Sequence, residues 1–488
     1  MTSNDTFLRL AFNAQHAASR AQTDVPLSLR RERLLRIQAM LARHDQALAL
    51  AVQADFGVRS AQLTEVADLF LLRAMLAQTL SDLPAWMKPV KVPTPLYLQP
   101  SRGFVQCQPL GVVGVISPWN YPLQLSLGPV ICALAAGNRV MLKPSELTPA
   151  TSALLAELIA NDFAPQELTV FLGDAKLAAE FSSLPFDHLF FTGSTTVGRL
   201  VAQNAAANLT PTTLELGGKS PCIVDLSCDI TSAAIKIVHG KLLNAGQTCV
   251  APDYVLLPAG QEAAFSQAFA QAVADMYPRI LGNPDYAAII SERHHARLKG
   301  LLHQAEAGGA RLEAMAVGQT DVTATKYSND ASQASHASHT GQSQMAPVLV
   351  FNAPPDCALL TEEIFGPVLP VLTYDTLDEA IQYINARARP LALYWFGQDT
   401  QAQDQVLAQT VSGGVCINDT LMHLVHLNLP FGGVGDSGWG SYHGEAGFKR
   451  LSHQKSVLVQ SRWASGKLLY PPYGQRFDWL IKAFKRWL

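Results

Sequence analysis

The sequence predicts an α/β protein built around parallel β-sheets. From Gly111 onward, short apolar runs alternate with amphipathic helical segments, and each run ends in small or polar residues. Such alternation is typical of parallel sheets that are covered by helices on both faces. The chain has 488 residues, too many for one ordinary domain, so we expect more than one such unit.

The strand candidates fall into two sets that are divided near Pro221. The first set reads GVVGVIS, NRVMLKPS, LTVFLGD and HLFFTGS, with helical segments such as TSALLAELIAND between its members. The second set reads CIVD, YVLLP, VLVF and VLPVLTY. Ligands of parallel sheets bind beyond the carboxyl ends of the strands, so functional residues are expected directly after these runs.

Other segments predict different structure. The first 85 residues favour helices, including a long amphipathic one that stops at Gly57. The proline-punctuated stretch after Trp86 favours an edge strand or a projecting hairpin. Residues 318–345 are rich in Ser, Thr, Gln and Ala and predict a mobile surface insertion. His336 and His339 lie in it without a third ligand nearby, so a metal site there is not favoured.

Composition narrows the function class. The net charge of -3 arises from 36 basic and 39 acidic residues and offers no basic footprint for nucleic acid. Seven cysteines without a C-x-x-C pair argue against a disulfide framework and favour a reducing compartment. The longest apolar run is interrupted by polar residues, and the N-terminus lacks a signal-peptide pattern. We therefore expect a cytoplasmic protein with small-molecule ligands.

A candidate nucleophile lies in GQTCVAPDY, where Cys249 follows small residues that could present its sulfur in a tight loop. A nucleophilic cysteine needs exposure and a lowered pKa. The alternative is a structural cysteine, which is the commoner role of a loop cysteine. The other six cysteines lie mostly in apolar runs and are interpreted as core residues.

Two further motifs carry polar side chains suited to catalysis. Glu215 in LELGGKSP lies between two leucines, where burial should raise its pKa toward the range of a general base. The alternatives are a turn cap or an ion pair with Lys219. Asn120 in ISPWNYPLQL is flanked by aromatic residues and prolines and could donate to a developing oxyanion. Its alternative is a loop asparagine that bonds its own backbone.

A fourth set of residues could bind a dinucleotide. In TGSTTVGR, Gly193 and Gly198 bracket an expected helix N-terminus, whose N–H groups favour a pyrophosphate. The pattern is not the G-x-G-x-x-G fingerprint and is weak by itself. Lys143 and Glu146 of KPSE could hydrogen-bond an adenosine ribose. A carboxylate there favours NAD over NADP, because it would repel a 2′-phosphate.

Together these motifs resemble the aldehyde dehydrogenase superfamily over nearly the whole chain. PWNYP, KPSE, FTGSTTVG, LELGGKSP, GQTC, EEIFGPV and LPFGGVGDSGWG occur in the family's order at about its spacing. The resemblance implies a Rossmann-type cofactor domain, a second α/β catalytic domain and a small β oligomerisation element. It also implies oxidation of aldehydes to carboxylic acids with NAD, or possible NADP, through a thioester, and no metal.

The resemblance assigns roles to individual residues. It implies that Cys249 is the nucleophile, Glu215 the general base and Asn120 the oxyanion donor. Glu363 and Phe365 of EEIFGPV are expected at the nicotinamide ribose and ring. The other expected cofactor contacts are Trp119, Lys143, Glu146, Gly193, Ser194 and Gly198.

Domain boundaries are implied as well. Residues 1–88 and 108–214 are expected to form the cofactor-binding domain, and residues 215–418 the catalytic domain with the insertion at 318–345. Residues 89–107 and 440–460 are expected to form the oligomerisation element. RPLALYWFG and LPFGGVGDSGWGSYHGEAGF resemble the class 3 branch and its bacterial coniferyl aldehyde dehydrogenases. That likeness implies a homodimer and aromatic or medium- or long-chain aldehydes.

The tail at 476–488 predicts an amphipathic helix with basic residues beside an apolar face. The helix could lie on an anionic membrane, or pack on a partner subunit or on its own domain, and packing on protein is preferred. Two alternatives to the dehydrogenase stay open. One is an acyl-transferring relative, either CoA-acylating or reductive, against which Glu215 argues. The other is a catalytically silent binding protein on the same fold.

Overall fold

The computed structural model describes residues 3–315, 344–463 and 469–487. The predicted insertion, with its two histidines, therefore lies outside the described residues apart from its last two positions.

Those two positions correct the predicted end of the insertion. Gln344 and Met345 are buried rather than part of a polar surface segment. The Gln344 amide donates hydrogen bonds to the main-chain oxygens of Asn283 and Tyr286. Since these bonds fix the side chain in the interior, the chain has rejoined the core by residue 344.

The N-terminal part is helical, as predicted. Its helices are α1 (Ser3–Ala21), α2 (Leu27–Phe56), α3 (Ala61–Thr64) and α4 (Phe70–Trp86). α2 ends at Gly57, whose φ of 73° is a conformation that favours glycine, and this confirms the predicted stop. A hairpin follows, formed by β1 (Val90–Val92) and β2 (Arg102–Pro109), which pair antiparallel.

The first predicted set of strands forms one parallel sheet. The predicted strands are β3 (Val112–Ile116), β4 (Arg139–Lys143), β5 (Leu168–Val170) and β6 (His188–Thr192), and β7 (Thr212–Glu215), which was not predicted, extends the sheet. The helices of this region are α5 (Gln124–Ala135), α6 (Pro149–Asp162), α7 (Ala175–Ser182) and α8 (Thr195–Ala206). The strand order is β7-β6-β3-β4-β5, so the direction of winding reverses between β3 and β6. That reversal opens a crevice at the carboxyl ends of β3 and β6.

The second set belongs to a seven-stranded sheet within the described residues. Its strands are β8 (Pro221–Val224), β9 (Tyr254–Pro258), β10 (Arg311–Ala314), β11 (Val348–Phe351), β12 (Val368–Tyr374), β13 (Ala392–Phe396) and β14 (Gly414–Ile417). Its helices are α9 (Ile230–Leu242), α10 (Glu262–Met276), α11 (Glu292–Ala307), α12 (Ala358–Thr361), α13 (Leu377–Asn385) and α14 (Thr400–Gln409). The order is β10-β11-β12-β9-β8-β13-β14, and β10 alone among these strands runs antiparallel to its neighbour.

Strands of the C-terminal part pair with strands from the first half of the chain. Its elements are α15 (Met422–Val425), β15 (Gly438–Trp439), α16 (Gly444–Arg450), β16 (Ser452–Val459) and α17 (Gln475–Trp487). β15 pairs antiparallel with β7 and places Gly438 opposite Glu215. β16 pairs antiparallel with β2, so a three-stranded sheet joins the two segments that were expected to form the oligomerisation element.

α17 covers the predicted amphipathic tail up to Trp487. The side chains of its apolar stripe are half-buried, and Trp479 is 69% exposed. The chain's own domain therefore does not enclose this helix. Across the described ranges, no helix is both long enough and apolar enough to cross a membrane.

Candidate active site

The carboxyl ends of β3, β6 and β7 open into one cavity of about 760 Å³. The predicted site residues that line it are Trp119, Asn120, Gly193, Ser194, Glu215, Cys249, Glu363 and Phe365. A neighbouring cavity of about 570 Å³ shares Trp119, Gly193 and Ser194 and adds Lys143 and Glu146. The fold thus brings together side chains from both sheets that are far apart in the sequence.

Gly198 is the one predicted cofactor residue that lines neither cavity. It is buried in α8, where a β-carbon would come within 2.7 Å of the Leu216 side chain. Its lack of a side chain lets α8 pack closely on the chain after β7. This placement indicates a packing role rather than a ligand contact.

The loop before Cys249 has an unusual backbone. Asn244, Ala245 and Gly246 all have positive φ angles, of 51°, 53° and 75°. A β-carbon on Gly246 would lie 2.3 Å from the main-chain oxygen of Gly366, so only glycine fits there. Such left-handed residues cost energy and often mark functional sites. Here they turn the chain so that Cys249 faces the cavity.

Cys249 is a half-buried residue, yet the surrounding protein raises the pKa of its thiol. The pKa rises to about 12, mainly because of burial and next because of the nearby carboxylates of Glu363 and Glu215, whereas backbone N–H groups oppose the rise. The lowered pKa expected of a nucleophilic cysteine is therefore wrong for this structure. The thiol needs a base to take its proton.

Glu215 is placed to be that base. It ends β7, is 3% exposed, and neither carboxylate oxygen has a hydrogen-bond partner among the described residues. Burial raises the pKa of Glu215 well above its ordinary value.

The alternative of an ion pair between Glu215 and Lys219 is ruled out by the geometry. The Lys219 ammonium donates to Asp253 Oδ2 at 2.6 Å and to the main-chain oxygens of Leu359 and Glu362 at 2.9 and 3.0 Å. These acceptors use all three of its N–H donors. Glu215 is therefore a buried carboxylate that has no cationic partner among the described residues, a costly arrangement that indicates a function.

The Asn120 side chain hydrogen-bonds to the loop that carries Cys249 instead of to its own backbone. Its Nδ2 donates to the main-chain oxygen of Gln247 at 3.1 Å, which leaves the second N–H of the amide. The next residues also join the two loops, because Tyr121 Oη and Thr248 Oγ1 lie 2.5 Å apart. The loop after β3 is therefore tied directly to the loop that carries Cys249.

The other end of the cavity has the features of a dinucleotide site. Ser194 caps α8, its Oγ accepting from the Val197 N–H, and the first turn of this helix borders the cavity. Lys143 Nζ lies 2.7 Å from Glu146 Oε2. A helix N-terminus and a paired lysine and carboxylate fit a pyrophosphate and a ribose.

Glu363 and Phe365 line the cavity that Cys249 also lines. Glu363 is half-buried, its buried Oε1 has no partner among the described residues, and desolvation raises the pKa of this carboxyl to about 8. An orphaned buried oxygen of this kind fits a ribose hydroxyl. The Phe365 and Trp119 rings pack edge-to-face with their centroids 5.5 Å apart, so two aromatic side chains border this part of the cavity.

Sequence reasoning missed three cavity residues on α11, namely Arg293, His294 and Arg297. In the sequence they belong to the polar face of an amphipathic helix, which is typical of a solvated surface. Only the tertiary structure brings them to the cavity, where the His294 ring lies 5.2 Å from that of Trp119. Within the described segments, no cluster of three potential metal ligands is found.

A second, apolar pocket of about 230 Å³ also reaches Cys249. Its apolar lining includes Val66, Phe70, Leu125, Leu424, Val425 and Phe431. Because Cys249 lines both cavities, the sulfur lies between the polar crevice and an apolar pocket.

Comparison with known proteins identifies the family of this chain. The model of the aldehyde dehydrogenase family matches residues 3–457. The chain belongs to the aldehyde dehydrogenase family. It is 45% identical over 481 residues to a probable coniferyl aldehyde dehydrogenase of Pseudomonas aeruginosa, covering 98% of this chain and 96% of the relative.

Two further comparisons extend the likeness. A coniferyl aldehyde dehydrogenase of a Pseudomonas species is 46% identical, with 97% and 95% of the two chains covered. The structure described as the substrate-bound state of Staphylococcus aureus AldH superposes with a TM-score of 0.88 at 36% identity, covering 98% and 99%. This aldehyde dehydrogenase is thus an oxidoreductase that uses a nicotinamide cofactor, and its predicted fold is confirmed.

The burial of Glu215 predicts a pH-dependent stability difference for Glu215→Gln. The pKa of the carboxyl is higher in the folded than in the unfolded protein, so stability is greatest below the unfolded value of about 4.5 and falls as the pH rises toward the folded pKa. Glutamine does not titrate. Relative to wild type, the variant should gain stability from pH 5 to pH 8, by roughly 1.4 kcal/mol for each pH unit between the two pKa values.

Chemical unfolding at several pH values measures this difference. Glu306→Gln on the exposed face of α11 is the matched control and should follow wild type throughout. A constant difference between Glu215→Gln and wild type from pH 5 to pH 8 would show that the carboxylate is not desolvated.

Proposed function

We propose that the enzyme oxidises aldehydes to carboxylic acids through a thioester on Cys249. The observation that carries this proposal is the meeting of a thiol, an unpartnered buried carboxylate and a fixed amide at one cavity. Each supplies one requirement of the reaction, namely a nucleophile, a base and an oxyanion donor.

The first step uses all three groups. Glu215 takes the thiol proton, and the sulfur of Cys249 attacks the aldehyde carbon. A C–S bond forms while the carbonyl oxygen becomes an oxyanion. The second N–H of the Asn120 amide and the main-chain N–H of Cys249 donate to this oxygen. One such donor contributes roughly 3 kcal/mol to lowering a barrier.

Oxidation then converts the thiohemiacetal to a thioester. When bound, the nicotinamide supplies the two-electron oxidant, accepting a hydride from the former aldehyde carbon. The dinucleotide would be held by the α8 N-terminus at Gly193 and Ser194 and by Lys143 and Glu146. Glu363, Phe365 and Trp119 would hold its nicotinamide end.

Hydrolysis completes the cycle. Glu215 first releases the thiol proton to solvent and then takes a proton from water, the resulting hydroxide attacks the thioester carbon, and the C–S bond breaks to release the carboxylic acid and the Cys249 thiolate. A buried carboxylate with a raised pKa suits this step, because it can hold a proton near neutral pH. This role favours hydrolysis over transfer of the acyl group to CoA.

NAD is proposed as the preferred cofactor, with NADP accepted less well. Glu146 places a carboxylate beside the expected ribose, where it would repel a 2′-phosphate. Its pairing with Lys143 reduces this repulsion, so the discrimination is expected to be moderate.

The proposed substrates are aromatic aldehydes such as coniferyl aldehyde, or medium- and long-chain aliphatic aldehydes. The apolar pocket beside Cys249 supports this class, since its lining offers mainly hydrophobic contacts. Two of the relatives are named coniferyl aldehyde dehydrogenases, which favours the aromatic members.

Initial rates of NADH and NADPH formation test the proposal. The panel runs from short aliphatic to long-chain aldehydes, benzaldehyde and coniferyl aldehyde. We expect the highest kcat/KM for an apolar aldehyde with NAD⁺, and no detectable turnover for Cys249→Ala because the nucleophile is lost. Cys228→Ala, which removes a thiol remote from the cavity, is the control and should keep the wild-type rate.

Turnover that survives in Cys249→Ala would overturn the assignment of the nucleophile. A folded wild-type protein that oxidises none of these aldehydes with either cofactor would favour the acyl-transferring or the catalytically silent alternative.

A cytoplasmic homodimer is the proposed form of the enzyme. The three-stranded sheet leaves Val90, Val92, Leu458 and Val459 between 41% and 54% exposed, so it offers an apolar surface to a second copy. Sedimentation equilibrium should give twice the chain mass of 52.7 kDa, and Leu458→Lys should shift the mass toward that of one chain. A wild-type monomer at micromolar concentration would contradict this assembly.

A further inference from the structure

A buried ion pair lies behind the candidate oxyanion donor. Arg59 and Asp68 are both fully buried, and Arg59 Nη2 donates to Asp68 Oδ2 at 2.6 Å. Burying two charges is costly unless further hydrogen bonds satisfy them, so the other contacts of this pair show what it holds.

Asp68 holds the end of the loop that carries Asn120. It belongs to a short π-helical turn, Glu65–Leu69, between α3 and α4. Its Oδ1 accepts from the main-chain N–H groups of Leu123 and Gln124 at 3.2 and 3.0 Å. The N–H groups at the start of α5 have no acceptor within that helix, so the carboxylate satisfies them and fixes where the loop ends.

Arg59 holds the loop itself and joins it to the cysteine loop. Its Nη1 donates to the main-chain oxygen of Asn120 at 2.7 Å and to Asn244 Oδ1 at 3.2 Å. Asn244 in turn donates from Nδ2 to the same Asn120 oxygen at 3.0 Å. Asn244 begins the left-handed stretch that presents Cys249. One guanidinium therefore contacts both catalytic loops.

The guanidinium is also confined by aromatic rings. Its central carbon lies 4.7 Å from the Phe56 ring centroid and 5.2 Å from that of Tyr121. Arg59 Nε has no partner among the described residues, so the contacts of the guanidinium are those of its two Nη atoms and of the two rings.

We propose that Arg59 is a positioning residue, which together with Asp68 holds the Asn120 amide at the place where it can donate to the oxyanion formed at Cys249. The inference rests on the proposed role of Asn120. It assigns a function to an arginine that lies outside every motif of the cavity and does not contact the substrate.

Arg59→Lys is the informative variant. Lysine keeps a positive charge for Asp68, but a single ammonium cannot reproduce the planar fork that reaches Asp68, Asn120 and Asn244 together. The rate of NADH formation in the first turnover should fall about tenfold, because a small displacement of a catalytic group has a large effect on rate. KM should change by less than about twofold, since the substrate pocket is not altered.

Arg33→Lys is the matched control. Arg33 is also a buried arginine, 2% exposed, and pairs with Glu167 at 2.9 Å, remote from the cavity. It should lower thermal stability while leaving the first-turnover rate within about twofold of wild type. An equal loss of rate in both lysine variants would reduce Arg59 to a structural role and overturn the proposal.

A double-mutant cycle with Asn120→Ala decides whether Arg59 acts through Asn120. If it does, Arg59→Lys should lower the rate about tenfold in wild type but less than about twofold in the Asn120→Ala background. The same tenfold loss in both backgrounds would overturn the proposal. Asn120→Ala with a wild-type rate would instead refute the oxyanion role of Asn120 itself, and this inference with it.

Asp68→Asn provides a second route if Arg59→Lys does not fold. The amide keeps the shape of the side chain and an oxygen for the α5 N–H groups, but it loses the charge that holds Arg59. In the double-mutant cycle with Asn120→Ala, Asp68→Asn should lower the first-turnover rate about tenfold in wild type but less than about twofold in the Asn120→Ala background. A rate loss that is independent of Asn120 would again contradict the proposal.

Discussion

Desolvation of Glu215 and Cys249 is the constraint on which the site depends. Among the described residues no cation pairs with the buried Glu215 carboxylate, and desolvation raises the pKa of this carboxyl and of the half-buried Cys249 thiol. An isolated charge in such a place costs several kcal/mol, so the surrounding fold must be rigid enough to retain it. The strands on either side of Glu215 provide this rigidity, because β6 and β15 both pair with β7.

Close packing over Glu215 depends on a glycine. Gly438 lies opposite Glu215 with a φ of 118°, and a β-carbon there would come within 1.8 Å of the Leu214 main-chain oxygen. β15 can therefore close on β7 only without a side chain at this position. The LPFGGVGDSGWG segment thus contributes to the electrostatics of the site although it supplies no catalytic group.

Asp253 organises the second side of the cavity. Its carboxylate accepts from the Lys219 ammonium and from the main-chain N–H of Ile364. Lys219 also donates to the main-chain oxygen of Glu362, which precedes Glu363. The Lys219–Asp253 ion pair therefore connects the loop in LELGGKSP to the EEIFGPV segment. The two buried ion pairs thus have parallel roles, since Arg59–Asp68 fixes the catalytic loops and Lys219–Asp253 fixes the segment expected at the cofactor.

Much of the fold could be predicted because buried parallel strands are short and strongly apolar. All eight apolar runs form strands, but the two sheets also contain strands that were not predicted, among them β7, β13, β14 and β10, whose sequence RLEA has neither an apolar run nor alternation. The catalytic side chains could be proposed because each lies at the end of a strand or beside a turn that contains glycine or proline. Arg59 could not, since its partners are up to 185 residues away and no local pattern distinguishes it from a surface arginine. The rise in the Cys249 pKa was also not predictable, because it depends first on burial and then on two nearby carboxylates, and both are set by the tertiary structure.

The central claim is that Cys249 carries the acyl group and that Glu215 is needed to remove it. The most direct test mixes Glu215→Gln with an aldehyde and NAD⁺ and measures the mass of the intact protein and of the peptide that contains Cys249. Without Glu215 the thiol must lose its proton to water, so we predict that an acyl group is added to Cys249 more slowly than in wild type, with about one NADH formed per chain and little further turnover. Formation of NADH without an acyl group on that peptide, or multiple turnovers at the wild-type rate, would contradict the account.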